Sequence, residues 1–185
     1  MVYDWYANPV YVGEEVATYM LKAEQAAVKA LQLDNQNPLA LAFRAEIFLD
    51  QFRYIDAQDY AERAVQADPS LMDVHRVYGY VMESLGGSYA EAISAYQDAA
   101  AITPNLTFLY INIGVNYRQL KNYDLAIENF VKAAKINQQN GVQDPIPYLA
   151  IARTYVQKGD FFIAARNVMK ALEFTPQNPA VYAQL

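Results

Sequence analysis

The sequence predicts an all-α solenoid built from stacked pairs of helices. Pairs of alanines recur along the chain with one internal spacing: Ala23 and Ala30, Ala57 and Ala64, Ala92 and Ala99, Ala126 and Ala133, and Ala164 and Ala171. The second members of these pairs are 34, 35, 34 and 38 residues apart. A period in the mid-thirties that is made of helix pairs is typical of a repeat array, in which each unit packs mainly on its neighbours.

The composition supports this architecture and excludes several classes of function. Of the residues 54% are hydrophobic, yet the mean hydropathy is −0.07, so apolar and polar residues are interleaved as amphipathic helices require. The net charge of −6 and the absence of any basic run argue against a nucleic-acid partner. Because the chain has no cysteine, disulfides and thiolate metal sites are excluded.

The sequence shows neither a membrane-spanning segment nor a signal peptide. A spanning helix needs about 20 consecutive apolar residues, and no such run exists. Residues 1–6 lack a basic region followed by an apolar one. We therefore expect no direct membrane insertion and a cytoplasmic location by default, with an extracytoplasmic one open if an upstream signal has been removed. We also expect the chain to be part of a longer protein, because its first residues do not begin a recognisable element.

The fourth unit shows the pattern of one helix pair most clearly. Residues 106–120 carry apolar side chains at spacings of three and four, among them Tyr110 and Gly114, and predict a first helix. After a short polar turn, residues 125–136 predict a second helix with Ala133 on its inner face. The small residues allow the two helices to approach closely, and the aromatic side chains fill the remaining space.

Prolines and capping residues mark the ends of the units. Second helices are closely followed by Pro69, Pro104 and Pro176, where proline stops a helix. The pairs Asn37-Pro38 and Asn178-Pro179 predict an N-cap followed by proline in the first turn. Asp144-Pro145 is predicted to open the fifth unit in the same way.

Taken together, these residues resemble the tetratricopeptide repeat family over about residues 37–176. The small residue within the first helix is Ala45, Gly79, Gly114 and Ala152 in the four successive units, and the paired alanines and terminal prolines complete the pattern. The resemblance implies a right-handed superhelical solenoid of antiparallel helix pairs, with the first helices lining a concave groove.

The same register divides the chain into parts of a single solenoid. Residues 1–36 are expected to form an irregular N-terminal cap with a partial repeat, in which Pro9 interrupts a first helix and Trp5, Tyr6 and Tyr11 cover exposed core. Four full repeats are expected at residues 37–69, 70–104, 105–138 and 148–177. Residues 139–147 are expected to be a loop insertion, and residues 178–185 the start of a truncated further helix.

No residue pattern predicts catalysis, a cofactor or a metal site. The single histidine, His75, lies on a core-facing side of its helix and is predicted to be packed or capped. Glu14 and Glu15 stand at a helix N-terminus, where they complement the helix dipole. Gly86 and Gly87 lie in a turn between helices and form no phosphate-binding loop. We therefore predict a non-enzymatic protein without catalytic, cofactor-binding or metal-binding residues.

What remains is a surface for binding protein or peptide. Carried over from the family by register, the groove is predicted to consist of Phe43, Glu46, Arg76, Tyr80, Phe108, Ile111, Asn112, Val115, Arg118, Leu149, Arg153 and Val156. The sequence supports part of it independently, because Phe108, Ile111 and Val115 form a second apolar stripe on the helix at 106–120. A helix that is apolar on two faces either meets a partner or is covered on both faces. The cover would be neighbouring helices or the N-terminal segment.

The predicted function is a protein–protein interaction module that holds a peptide segment or a protein surface in this groove. The groove lacks the set of Lys, Arg and Asn with which chaperone-binding members of the family clamp a carboxylate, which argues against a chaperone C-terminus as ligand. Two alternatives stay open. In the first, the array is an accessory domain of a larger protein, which is an enzyme, a secretion or assembly protein, or a membrane-associated protein. In the second, the array self-associates as a homodimer through the groove or through exposed solenoid ends.

Overall fold

Nine α-helices build the part of the chain that the computed structural model describes, residues 14–175. In chain order they are α1 (Glu14–Leu33), α2 (Pro38–Asp50), α3 (Tyr54–Ala67), α4 (Met72–Ser84), α5 (Tyr89–Ile102), α6 (Thr107–Gln119), α7 (Tyr123–Gln139), α8 (Ile146–Lys158) and α9 (Phe161–Leu172). Successive helices pack as pairs, α2 with α3, α4 with α5, α6 with α7 and α8 with α9. Short turns make each pair antiparallel. The predicted all-α solenoid of helix pairs is therefore confirmed.

The alanine pattern marks the contact between the two helices of each pair. Both alanines of the pairs in α3, α5, α7 and α9 are buried. The pair in α1 differs, since Ala23 is exposed and Ala30 is half-buried. There Ala27 is the buried alanine, and Leu31 packs against the core that α1 shares with α2.

The helix ends follow the predicted capping chemistry. Asn37 Oδ1 accepts a hydrogen bond from the Ala40 N–H at 3.0 Å, with Pro38 as the first residue of α2. Helices α3 and α5 each end two residues before a proline, Pro69 and Pro104. In the fifth unit Asp144 Oδ1 accepts from the Ile146 N–H at 2.9 Å, and α8 begins at Ile146, so Pro145 precedes the helix instead of lying within it.

Helix α7 is longer than the sequence predicts and takes up part of the expected insertion. It runs to Gln139, past the expected end at Ile136. Asn137 in this extra turn is buried, where its Oδ1 accepts from Thr107 Oγ1 at 2.8 Å and its Nδ2 donates to Asp144 Oδ2 at 3.0 Å. The added turn is thus tied both to the start of α6 and to the segment that leads into α8.

Three of the expected features lie outside the described residues. They are the part of the N-terminal cap at residues 1–13, with Trp5, Tyr6, Pro9 and Tyr11, the helix start at residues 178–185, and Pro176.

The first helices of the pairs line one side of the array. Helices α2 and α4 contact each other across a repeat boundary, as do α6 and α8. No packing of similar extent joins second helices to each other among the described elements. At these two boundaries first helices stand closer together than second helices, so the first helices lie on the inner side of a curved array. We call the side formed by α2, α4, α6 and α8 the concave face.

Candidate protein-binding surface

At its N-terminal end the concave face contains a buried ion-pair network that includes two predicted groove residues. The Arg76 guanidinium is buried, donating from Nη1 to Glu46 Oε1 at 2.8 Å and from Nε to Asp73 Oδ1 at 3.1 Å. Burial acts to lower the pKa of Arg76, but the hydrogen bonds and charges of Glu46 and Asp73 raise it above its ordinary value. Arg76 therefore joins α4 to α2 and is already satisfied by carboxylates of this chain.

The N-terminal half of the concave face is acidic as a result. Glu46 and Asp73 both pair with Arg76, and Asp50 lies close enough to Glu46 to sense its charge. Burial raises the pKa of Asp50 above its ordinary value, and the like charge of Glu46 raises it further. Of the other predicted residues in this half, Phe43 is exposed and Tyr80 is half-buried.

The apolar stripe on α6 is covered in part by the protein's own helices. Phe108, Ile111 and Val115 are all half-buried. Phe108 and Ile111 pack on the large core cluster around Leu109, while Ile111 and Val115 pack on a smaller cluster around Phe130. Asn112 is half-buried beside them. The stripe is therefore partly explained by packing between repeats, with the remainder of each side chain at the surface.

The C-terminal half of the concave face is basic. Burial lowers the pKa of Arg118, and the like charge of Arg153 lowers it further, so the two guanidinium groups lie near each other. Among the described residues no carboxylate lies within ion-pair distance of Arg118, whose guanidinium is 6.0 Å from the centre of the Phe130 ring. Arg153 is exposed on α8, Val156 is 48% exposed, and Leu149 is half-buried.

A buried polar cluster between the third and fourth units was not predicted from the sequence. Asn116 is fully buried and donates from Nδ2 to Glu83 Oε2 at 3.0 Å and to the Asn112 carbonyl at 2.9 Å. Tyr96 Oη donates to the same Glu83 oxygen at 3.1 Å. Burial raises the pKa of Glu83, against the lowering effect of these two hydrogen bonds. Asn116 Oδ1 has no hydrogen-bond partner among the described residues.

The spacing of Asn116 could have revealed its burial. It follows Leu109 by seven residues and Ile113 by three, which places it on the buried face of α6. Because Asn116 is polar, it was not predicted to be a core residue, although the periodicity of a helix determines burial for any side chain.

The prediction for His75 is confirmed: Nε2 lies 2.8 Å from the carbonyl oxygen of Pro69, within hydrogen-bonding distance. Within residues 14–175 no group of three or more His, Cys, Asp or Glu side chains is arranged to hold a metal ion. None of the described helices combines the length and apolar character needed to cross a bilayer.

The stacked pairs and the continuous face of first helices define the class of protein, a helical repeat array. Residues 109–140 match the model of the tetratricopeptide repeat family. A crystal structure of a MamA protein aligns with a TM-score of 0.73 at 23% identity, over 89% of this chain and 87% of that one. YrrB, described as a TPR protein with an unusual peptide-binding site, aligns with a TM-score of 0.71 at 20% identity, over 91% and 84%. The chain thus has the fold of these tetratricopeptide repeat proteins, and its fourth unit matches the repeat of that family.

Curated relatives share a part of this sequence. The probable UDP-N-acetylglucosamine–peptide N-acetylglucosaminyltransferase SPINDLY of Eustoma exaltatum subsp. russellianum is 32% identical over 110 residues, which are 57% of this chain and 12% of that protein. The BBSome complex member BBS4 of Bos taurus is 28% identical over 99 residues, 54% of this chain and 18% of that protein. The chain thus spans less than a fifth of the length of either relative.

Proposed function

We propose that the protein is a non-enzymatic binding module that holds a segment of a partner protein on its concave face. The family supports the general role, since tetratricopeptide repeats serve protein–protein interaction. Two similar proteins are described in these terms, YrrB by its peptide-binding site and BBS4 as a member of a complex.

The observation that carries the proposal is the position of Arg118. Its guanidinium is partly desolvated, lies near a second arginine, and has no carboxylate of the described chain at ion-pair distance. A partner carboxylate at this place would relieve the repulsion between like charges and form charge-assisted hydrogen bonds, which are stronger than neutral ones. Arginine is also among the residues that most often anchor binding surfaces.

The charge distribution supports one orientation of the bound segment. Its acidic residue would lie over α6 and α8 near Arg118, and its apolar side chains would pack on the exposed part of the stripe at Ile111 and Val115. Toward α2 and α4 the segment would be neutral or basic, because the carboxylates of Glu46, Asp50 and Asp73 repel an acidic one. The preformed helix stack would keep the ordering cost on the side of the receptor low.

Selection from a displayed random peptide library tests this proposal. Selected peptides should carry an acidic residue next to apolar ones, and Arg118→Glu should weaken their binding by about tenfold or more, a loss of about 1.4 kcal/mol. Replacing the peptide's acidic residue with lysine should restore binding to the Arg118→Glu variant. Val156→Asp should also weaken binding.

Matched controls come from exposed residues on second helices. Arg166→Glu on α9 makes the same charge change, and Ile55→Asp on α3, at a residue that is 86% exposed, makes the same type of change as Val156→Asp. Both controls should bind peptide like the wild type. Peptides that bind the Arg118→Glu variant normally and lose the Arg166→Glu variant would place the site on the second helices and refute the proposal.

Self-association is a second candidate that one observation favours. Phe161 and Phe162 on α9 are 67% and 75% exposed, and Met169 is exposed beside them. Large apolar side chains that are exposed on one helix favour a contact surface there. Sedimentation over a range of concentrations should show dimers that Phe162→Asp abolishes; a monomer at every concentration would remove this candidate.

A further inference from the structure

The first helices α2, α4, α6 and α8 are each followed by a turn with a left-handed backbone, and one of these turns contains an aromatic residue. The left-handed residues are Phe52, Gly86, Lys121 and Gly159, with φ of 59°, 63°, 60° and 83°. The turn after α2 is closed by the Phe52 N–H, which donates to the Leu49 carbonyl at 2.9 Å. Glycine suits this position because it has no Cβ, whereas a positive φ is strained for a bulky side chain.

Burial of the ring does not offset the strain at Phe52. The residue is 77% exposed, and its ring meets the exposed ring of Tyr54 edge to face, with 6.5 Å between the ring centres. A ring that stays in water contributes little hydrophobic stabilisation to the fold. Backbone strain of this kind is concentrated at functional positions, so the exposed ring of Phe52 calls for a role in binding.

Phe52 lines an open cavity of about 370 Å³ at the edge of the concave face. The cavity lies where the parallel helices α2 and α4 end side by side, and its lining residues are Leu49, Asp50, Phe52, Tyr54, Tyr80 and Ser84. The C-terminal end of a helix carries partial negative charge, so two such ends favour a cation between them. The Asp50 carboxylate adds a full negative charge, and no basic side chain that the structure describes lies within ion-pair distance of it.

We propose that this cavity binds the guanidinium group of an arginine on a partner protein, stacked on the rings of Phe52 and Tyr80 and paired with Asp50. Arginine fits better than lysine because its planar group stacks on a ring and can also form two parallel hydrogen bonds to a carboxylate. That the arginine belongs to the segment held on the concave face rests on the proposed function. The selection of a guanidinium rests on the cavity alone.

The array holds two of its own arginines by the same combination of a carboxylate and an aromatic ring. Arg53 Nε donates to Asp56 Oδ2 at 2.8 Å, and the guanidinium lies 4.2 Å from the centre of the Phe48 ring. Arg44 Nη1 donates to Glu24 Oε1 at 2.7 Å, and its guanidinium lies 4.3 Å from the centre of that ring. Since both arginines are already paired, the cation for the cavity has to come from a partner.

Nuclear magnetic resonance titration of the intact, isotope-labelled chain with N-acetyl-arginine methylamide tests the site. The probe should shift the amide signals of residues 50–54 and 80–84. N-acetyl-citrulline methylamide has nearly the same shape without the charge, and it should bind about fivefold more weakly or less. The corresponding lysine probe should also bind more weakly than the arginine probe. Asp50→Asn should reduce the affinity for the arginine probe about fivefold, whereas the matched control Asp59→Asn on α3 should leave it unchanged.

Phe52 allows binding to be separated from stability. Phe52→Gly should raise the melting temperature by roughly 2 °C because it relieves the turn, and it should weaken probe binding about threefold because the ring is lost. Phe52→Leu keeps the strained backbone and removes the ring, so it should weaken binding without raising the melting temperature. The control Lys121→Gly makes the same backbone change in the fourth unit, and it should raise the melting temperature without weakening probe binding.

The opposite outcomes would overturn the proposal. Equal binding of the arginine probe and either other probe would show that the cavity does not select a guanidinium. Amide shifts confined to other units would place the probe elsewhere, and normal binding by Phe52→Gly would show that the ring takes no part. The probe has no acidic group and the variants leave Arg118 unchanged, so these failures are distinct from a failure of the peptide selection.

Discussion

A Cβ atom on Gly114 would lie 2.5 Å from Cε1 of Phe130, so the glycine of α6 and the ring of α7 occupy adjoining space with no room for a methyl group. The third unit repeats the relationship less tightly, since a Cβ on Gly79 would lie 3.0 Å from the Tyr96 ring. In both units an aromatic ring on the second helix is accommodated by the absence of a side chain on the first.

Gly114→Ala should therefore destabilise the fold despite the higher helix propensity of alanine. Overpacking of this kind costs about 1–3 kcal/mol, whereas the propensity gain is about 1 kcal/mol. Because a Cβ on Gly114 would come as close as 2.5 Å to the Phe130 ring, we expect the overpacking cost to exceed the propensity gain, with a net loss of up to about 2 kcal/mol in chemical denaturation. Adding Phe130→Leu should recover part of that loss, and Gly79→Ala should cost less than Gly114→Ala. Equal or greater stability of the Gly114→Ala variant would contradict the observed close approach.

Ala133→Arg should cost more, because it adds both volume and charge to a fully buried position. Core overpacking and a buried, unpaired charge suggest a loss of about 2–4 kcal/mol. Hydrogen exchange should show the effect in the fourth unit and its neighbours and less at the ends of the array. The control is Ala101→Arg at an exposed site on α5, whose melting temperature should stay close to that of the wild type. Similar melting temperatures for both variants would mean that Ala133 is not packed between α6 and α7.

The network of Arg76 with Glu46 should be strongly non-additive. Glu46→Leu leaves the buried guanidinium with Asp73 alone and should cost about 2–3 kcal/mol, somewhat less than full isolation of a buried charge. The double variant Glu46→Leu with Arg76→Met removes both charges and should recover most of that stability. A double-mutant cycle by chemical denaturation measures the coupling. If the two losses simply add, the pair does not hold α2 and α4 together.

The cluster around Glu83 should make stability depend on pH in a defined direction. Because burial raises the pKa of Glu83 in the folded chain, the folded state retains this proton at a pH where the unfolded chain has released it. Its contribution to stability is therefore fully present below the ordinary pKa of a glutamate and is lost as the pH rises through the raised value.

Glu83→Gln should remove this dependence, since its amide oxygen can accept the bonds from Tyr96 and Asn116 without a charge. At neutral pH the variant should be more stable than the wild type by about 1 kcal/mol. The advantage should shrink as the pH falls toward the ordinary pKa of a glutamate, when the wild-type carboxyl becomes protonated. Thermal melts at a series of pH values measure the difference. An advantage that grows on acidification would refute the assignment.

Local sequence patterns were sufficient to predict the helices and several of their ends. The N-cap hydrogen bond joins Asn37 to Ala40, only three residues further along the chain. The burial of Ala133 follows from spacings of three, four and seven within one helix. Helix caps and helix periodicity are determined by residues that are near each other in the sequence. Because the same pattern recurs in successive units, each unit supports the prediction for the others. The family register then placed the first helices on one face.

The electrostatics of the surface could not be predicted in this way. Glu46 and Arg76 are 30 residues apart, and Glu83 and Asn116 are 33 apart, so each contact depends on how one first helix is rotated against the next. A difference of one residue in either helix would turn these side chains away from each other. The sequence thus predicted Arg76 as a groove residue, while the three-dimensional arrangement shows its charge already paired.

The ion pairs between units also bear on the mechanical behaviour of the array. Arg44 with Glu24, Arg76 with Glu46 and Lys158 with Asp124 each join a first helix to the unit directly before it. Under a force applied to its two ends, a chain held together by such short-range links should yield one helix pair at a time. The array would then lengthen in steps, and on release it would fold back onto the pairs that had stayed intact.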